Sequence, residues 1–80
     1  VKRAEKRIDF SLPHAKMAME DKGIDRELVA RAVRKPSRTR RMKIPRRLRF
    51  EQDLSSGRLL VVIVEESKES LLIITAWIKK

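Results

Sequence analysis

Two apolar runs in the last third of this 80-residue chain limit what it can fold into. Arg58-Leu-Leu-Val-Val-Ile-Val-Glu65 is unbroken between its charged ends and rich in β-branched residues. Leu71-Leu-Ile-Ile-Thr-Ala-Trp-Ile78 repeats the pattern after the polar segment Glu66-Ser-Lys-Glu69. Branched side chains pack well on a pleated surface, and a continuous apolar run suits a strand covered on both faces. The pair therefore predicts two central strands joined by a polar hairpin loop. A sheet with such a centre needs flanking strands and a covering layer, and the rest of the chain must supply them.

The preceding residues provide candidates for both. Leu48, Phe50, Gln52 and Leu54 alternate with Arg47, Arg49, Glu51 and Asp53, which predicts a half-buried strand with one charged face. Arg40, Met42 and Ile44 alternate with Arg41 and Lys43, and Pro45 then interrupts, so this strand is expected at an edge or a bulge. Ser55-Ser56-Gly57 reads as a turn in which Gly57 supplies a positive φ. Further upstream, Ile8 and Phe10 alternate with Arg7 and Asp9 as a short first strand. Ser11 is a candidate N-cap for a helix with Pro13 in its first turn, running through Lys22 and ending at Gly23. Ala15, Ala18 and Met19 share one face of it. Asp25 caps a second helix, Glu27 favours its first turn, and Leu28, Val29, Ala32 and Val33 form its apolar stripe up to Pro36. The expected order is β-α-α-β-β-β-β. This is an α+β fold in a single domain, residues 1–80, with two N-terminal helices packed on a mainly antiparallel sheet.

Charge is the second constraint. The chain carries 21 Lys and Arg against 11 Asp and Glu, a net charge of +10. The excess is local. Residues 34–49 hold nine basic residues and no acid, whereas residues 50–78 hold five acids and two bases. Such a concentration steers anions toward the surface. The absence of cysteine removes disulfides and thiolate metal sites. No apolar run approaches the roughly 20 residues that span a bilayer. The charged stretch Val1 to Arg7 has no signal-type apolar core behind it, so the cytoplasm is the expected compartment.

Within the basic segment, arginine outnumbers lysine seven to two, and the planar guanidinium suits phosphate. Arg38, Arg40, Arg41, Lys43, Arg46, Arg47 and Arg49 are therefore candidate nucleic-acid contacts. The strand alternation projects Arg47 and Arg49 together, opposite Leu48 and Phe50. The competing reading is a solvated charged face or a partly disordered loop. Thr75, Trp77 and Lys79 share one face of the last strand and would extend the interface if that face borders Arg47 and Arg49. Phe10, Phe50 and Trp77 are the only aromatic residues, too few for a base-stacking platform. His14, the only histidine, opens the first helix as either a surface residue or a catalytic group. One histidine without cysteine or clustered carboxylates makes no recognisable metal site.

The run His14-Ala-Lys-Met-Ala-Met-Glu-Asp-Lys-Gly-Ile24 resembles the His-Ala-x-x-x-Met-x-x-x-Gly-Ile opening of a family of small domains related to the BrnT and RelE/ParE-like toxins. The close, Ile73-Ile-Thr-Ala-Trp77, is similar to that family's Val-Thr-x-Tyr ending and to the Ile-Ile-Ser-Ala-Arg strand of BrnT-like toxins. The resemblance spans roughly residues 8 to 78. It implies a toxin-like α+β fold, metal-independent endoribonuclease chemistry without a cofactor, and neutralisation by an acidic antitoxin. Carried over by position, it implies His14 as acid or base, Thr75 at the Ser/Thr position, and Arg47 or Arg49 stabilising charge as a 2′-hydroxyl attacks. Trp77 stands where BrnT-like toxins carry Arg, and Met19 and Lys22 stand where relatives often carry Arg. Three expectations follow: an RNA-binding and RNA-cleaving domain, a non-catalytic nucleic-acid-binding module, or an interaction domain that meets an acidic partner or a second copy of itself.

Overall fold

The two apolar runs form neighbouring antiparallel strands inside one five-stranded sheet. The computed structural model describes residues 2–80. Val1, at the head of the charged N-terminal stretch, lies outside them. In chain order the elements are β1 (Arg7–Asp9), α1 (Pro13–Lys22), α2 (Arg26–Arg34), β2 (Arg38–Arg41), β3 (Arg47–Asp53), β4 (Leu59–Glu66) and β5 (Ser70–Lys79). Single 3-10 turns lie at Arg3–Glu5 and Ser55–Gly57. The sheet order is β1-β5-β4-β3-β2. Strands β2 to β5 form an antiparallel meander, and β1 pairs in parallel with the outer side of β5. The α+β order expected from the sequence is the order observed.

Both helices cover the same face of the sheet. Ala15 and Met19 of α1 and Val29, Ala32 and Val33 of α2 share one buried cluster with Leu48, Phe50, Leu60, Val62, Val64, Leu71, Ile73 and Ala76. Asp25 caps α2 as expected, accepting the Leu28 N–H at 2.9 Å. Gly23 takes the left-handed conformation (φ 65°) that ends α1 and lets Ile24 turn back into the core.

β4 is buried on both sides, from Leu60 through Val64. Leu60, Val62 and Val64 face the helices. Val61 and Ile63 face the other way, toward what is called here the open face. The register sets Val61 between Glu51 and Trp77, and Ile63 between Arg49 and Thr75. These long neighbours shield the middle strand where no helix lies over it.

In β5 the pairing skips one residue. Val64 pairs with Ile73 and Ile63 with Thr75, leaving Ile74 as a bulge. Paired regularly, with no bulge at Ile74, the same sequence would turn Thr75 and Trp77 into the core after Leu71 and Ile73. With the bulge, Ala76 and Ile78 pack on the helix side, while Thr75, Trp77 and Lys79 lie on the open face.

Two local expectations are corrected and a third is extended. The residue at the N-cap of α1 is Leu12, without a side-chain cap. Ser11 is drawn away because its N–H donates to the Asp9 carboxylate at 2.8 Å. β2 ends at Arg41, and Ile44, expected on a strand, is an exposed turn residue. Pro45 fixes the turn there and so shortens the strand. In the β3–β4 connection, Ser56 as well as Gly57 has positive φ.

The charged N-terminal stretch is tied to the end of β4. Arg3 donates through Nε and Nη2 to both oxygens of Glu66, at 2.9 and 3.3 Å. Lys6, a buried residue, donates its ammonium to Glu66 Oε2 at 3.0 Å and to the Ser67 carbonyl at 2.7 Å.

Candidate nucleic-acid interface

The basic residues divide into a paired group and an unpaired group. The paired group lies on the open face around Glu51, which is 3% exposed. Arg38 Nε approaches Glu51 Oε1 at 2.8 Å, and Arg38 Nη2 reaches Asp53 at 2.9 Å. Arg49 Nε approaches the other Glu51 oxygen at 2.7 Å. The Arg38 hydrogen bond, reinforced by Arg49, holds the Glu51 carboxyl below its usual range against the opposing effect of burial. Arg47 faces Glu65 on the neighbouring β4 at a looser 3.6 Å.

These contacts change the site expected from sequence. Arg47 and Arg49 do share the face opposite Leu48 and Phe50, but they are not a free phosphate-facing row. Residues 34–49 contain no acid, yet the cross-strand register brings in Glu51, Asp53 and Glu65 from beyond that segment. Charge already neutralised at hydrogen-bond distance has less to give an incoming anion.

The unpaired group sits at the end of the β2–β3 hairpin. Arg40, Arg41, Lys43 and Arg46 are all exposed. Among the described residues none of the four makes an ion pair or a side-chain hydrogen bond. Arg40 pairs in register with Arg49 on the open-face side, while Arg41 pairs with Leu48 and so faces the helix side. The cations therefore surround the hairpin end and do not line a single sheet face.

Backbone geometry fixes this hairpin end. The Arg47 N–H donates to the Ile44 carbonyl at 3.1 Å, closing a turn with Pro45 second and Arg46 third. Arg46 has φ 65°, which glycine or asparagine takes more easily at that position. Its carbonyl accepts the Glu66 N–H at 2.7 Å, so the strained residue is pinned to β4. Replacing Arg46 with glycine is expected to raise stability by about 0.5–1 kcal/mol, the relief of left-handed strain less the entropy glycine brings. A urea midpoint that does not rise would show that the turn carries no such strain.

The last strand meets the open face as the sequence pattern anticipated, though across β4 and not beside β3. Arg49 lies over the Trp77 ring, 5.7 Å from its centroid. Thr75 and Trp77 are half-buried and Lys79 is exposed. His14 is placed elsewhere. It is exposed on α1, in the layer that covers the opposite face of the sheet, so it does not join Arg47, Arg49 and Thr75 in one constellation. Among the described residues, no three His, Asp or Glu side chains gather as a metal cluster, and no helix is long and apolar enough to cross a membrane.

Glu51 is the residue that sequence reasoning passed over. Its alternation with Arg49 was visible, but its burial depends on Arg38 arriving from the neighbouring strand.

No curated protein and no solved structure matches the chain. Residues 12–78 match a family described as a domain of unknown function, DUF4258. That span runs from the start of α1 through the basic hairpin and into β5 as far as Ile78, so the chain belongs to the DUF4258 family.

Proposed function

We propose that this protein is an RNA-binding module that holds the phosphate backbone with the end of its β2–β3 hairpin. The observation that carries the reading is the set of exposed, unpaired cations Arg40, Arg41, Lys43 and Arg46 on a backbone pinned by the Arg46 turn. Elsewhere on the charged face, arginines are matched by carboxylates, so the excess charge concentrates at one protruding end. The resemblance of His14–Ile24 and Ile73–Trp77 to toxin-like endoribonuclease domains favours RNA among polyanions. Cleavage is outside the reading, because His14 and the Arg47, Arg49 and Thr75 side chains occupy opposite sides of the sheet.

Phosphate contacts of this kind give affinity without sequence choice. The test is to titrate fluorescent single-stranded RNA at several salt concentrations. Four neutralised phosphates predict that log K falls with log salt at a slope of about −3. A slope shallower than about −1 would remove the hairpin end as the main contact. The same RNA, incubated with protein in chelator, is expected to stay intact.

A further inference from the structure

We infer that the outer edge of β1 is a docking strand for an extended acidic peptide. Among the described residues β1 is the last strand of the sheet on its side and pairs only with β5. The Arg7 N–H donates inward to the Glu69 carbonyl at 3.1 Å. Backbone groups alternate along a strand, so the N–H and C=O of Ile8 point outward. The opposite edge, β2, is guarded by Arg38, Arg40 and Arg41 along its four residues. β1 has no such row.

What lies beside that edge is a groove of about 390 Å³ lined by the consecutive residues Arg7 to Ser11 and by Lys16 and Arg26. Three cations reach it from three elements: Arg7 from β1, Lys16 from α1 and Arg26 from α2. Arg26 is laid over the Phe10 ring at 5.3 Å from its centroid, which holds its guanidinium at the groove. The single carboxylate of the lining, Asp9, accepts the Ser11 N–H and stays ionised, so it offsets one of the three cations and leaves the lining with a net charge of +2. Past Phe10 a second recess of about 300 Å³ has Phe10, Met19 and Ile24 in its wall, with Lys16 and Arg26 on its rim balanced by Glu20 and Asp25. An edge with free peptide groups, cations above it and a recess of no net charge alongside fits strand addition, in which main-chain bonds give affinity and side-chain pockets give choice.

Charge complementarity selects the occupant. A second copy of the chain would bring its own +10 charge, and its own Lys16 and Arg26, against these cations. A nucleic acid has no backbone that matches a strand edge. A peptide with alternating acidic and apolar residues satisfies the Ile8 groups, the cations and the recess together.

The test uses the full chain, isotope-labelled, titrated with an end-blocked octapeptide alternating Glu and Val while backbone amide shifts are followed. Saturable shifts at Ile8 to Ser11 are expected. Two changes should each weaken binding at least tenfold: N-methylation of alternate peptide residues, and the Lys16→Glu/Arg26→Glu double substitution. An octapeptide alternating Lys and Val should not bind. The inference is overturned if shifts concentrate at residues 40–46 with the β1 amides unmoved. It is equally overturned if the N-methylated or the lysine peptide binds as well as the original.

Discussion

Replacing Arg40, Arg41, Lys43 and Arg46 together with glutamine is expected to weaken single-stranded RNA binding by about three decades at 0.1 M salt. Each phosphate contact on a single strand contributes about 0.7 to the salt slope, and at 0.1 M each unit of slope corresponds to about one decade of affinity. Four lost contacts therefore remove nearly all of the electrostatic term. Stability should change by less than about 0.5 kcal/mol, because among the described residues these side chains make no ion pair or side-chain hydrogen bond. Arg49→Gln should do the opposite. It removes a partner of buried Glu51 and the cation over Trp77, and should cost about 1–2 kcal/mol of stability while RNA affinity stays within about threefold. Filter binding and urea unfolding on the two variants separate the cases. If Arg49→Gln abolishes binding and the hairpin variant does not, the interface belongs on the open face.

The second large effect concerns the N-terminal tie. Glu66→Gln is expected to lower stability at pH 7 by roughly 2–3 kcal/mol, about 10–20 °C in melting temperature for a domain of this size. The hydrogen bond from Arg3, reinforced by Lys6 and only partly opposed by burial, holds the Glu66 carboxyl at about 2, against an ordinary 4.5. A carboxyl whose folded pKa is depressed contributes its full stabilisation above the unfolded value. That contribution is lost as pH falls through the folded one. The wild-type and Glu66→Gln proteins should therefore differ fully above about pH 5 and converge as pH falls from about 4.5 to about 2. The Lys6 side chain, 11% exposed, loses its carboxylate and keeps the Ser67 carbonyl, so the cost falls on a cation with little access to water. Urea titrations at pH 7, 4 and 2.5 measure it. A difference between the two proteins that does not change with pH would show that the ion pairs are not its source.

The parts of the fold that the sequence revealed are those governed by neighbours in the chain. The unbroken run of β4 required burial on both sides, Gly23 marked the left-handed turn that ends α1, and Asp25 stood where α2 needed a cap. Ser11 misled because two local rules competed for it, and the Asp9 turn prevailed. Ile44 misled because alternation continued past the point where Pro45 had already set the turn. The candidate site was legible as a charge excess but not as a geometry. Whether Arg38, Arg47 and Arg49 are free depends on Glu51, Asp53 and Glu65 meeting them across strands, and a pattern along one strand carries no register. The separation of His14 from Thr75 likewise depends on which face the helices cover.

The bulge at Ile74 makes this domain tolerant of one particular change in chain length. Removing Ile74 would restore an uninterrupted two-residue period, with Leu71, Ile73, Ala76 and Ile78 still inward and Thr75 and Trp77 still outward. Deleting Ile73 instead gives the identical sequence, because both residues are isoleucine, and deleting Thr75 would leave Ile74 in its outward place; a deletion farther along the strand would turn over the residues between it and the bulge. One residue can thus be lost around the bulge in β5, and not farther along the strand, without exchanging inward and outward side chains, and a shortened descendant of this chain would be expected to have lost it there.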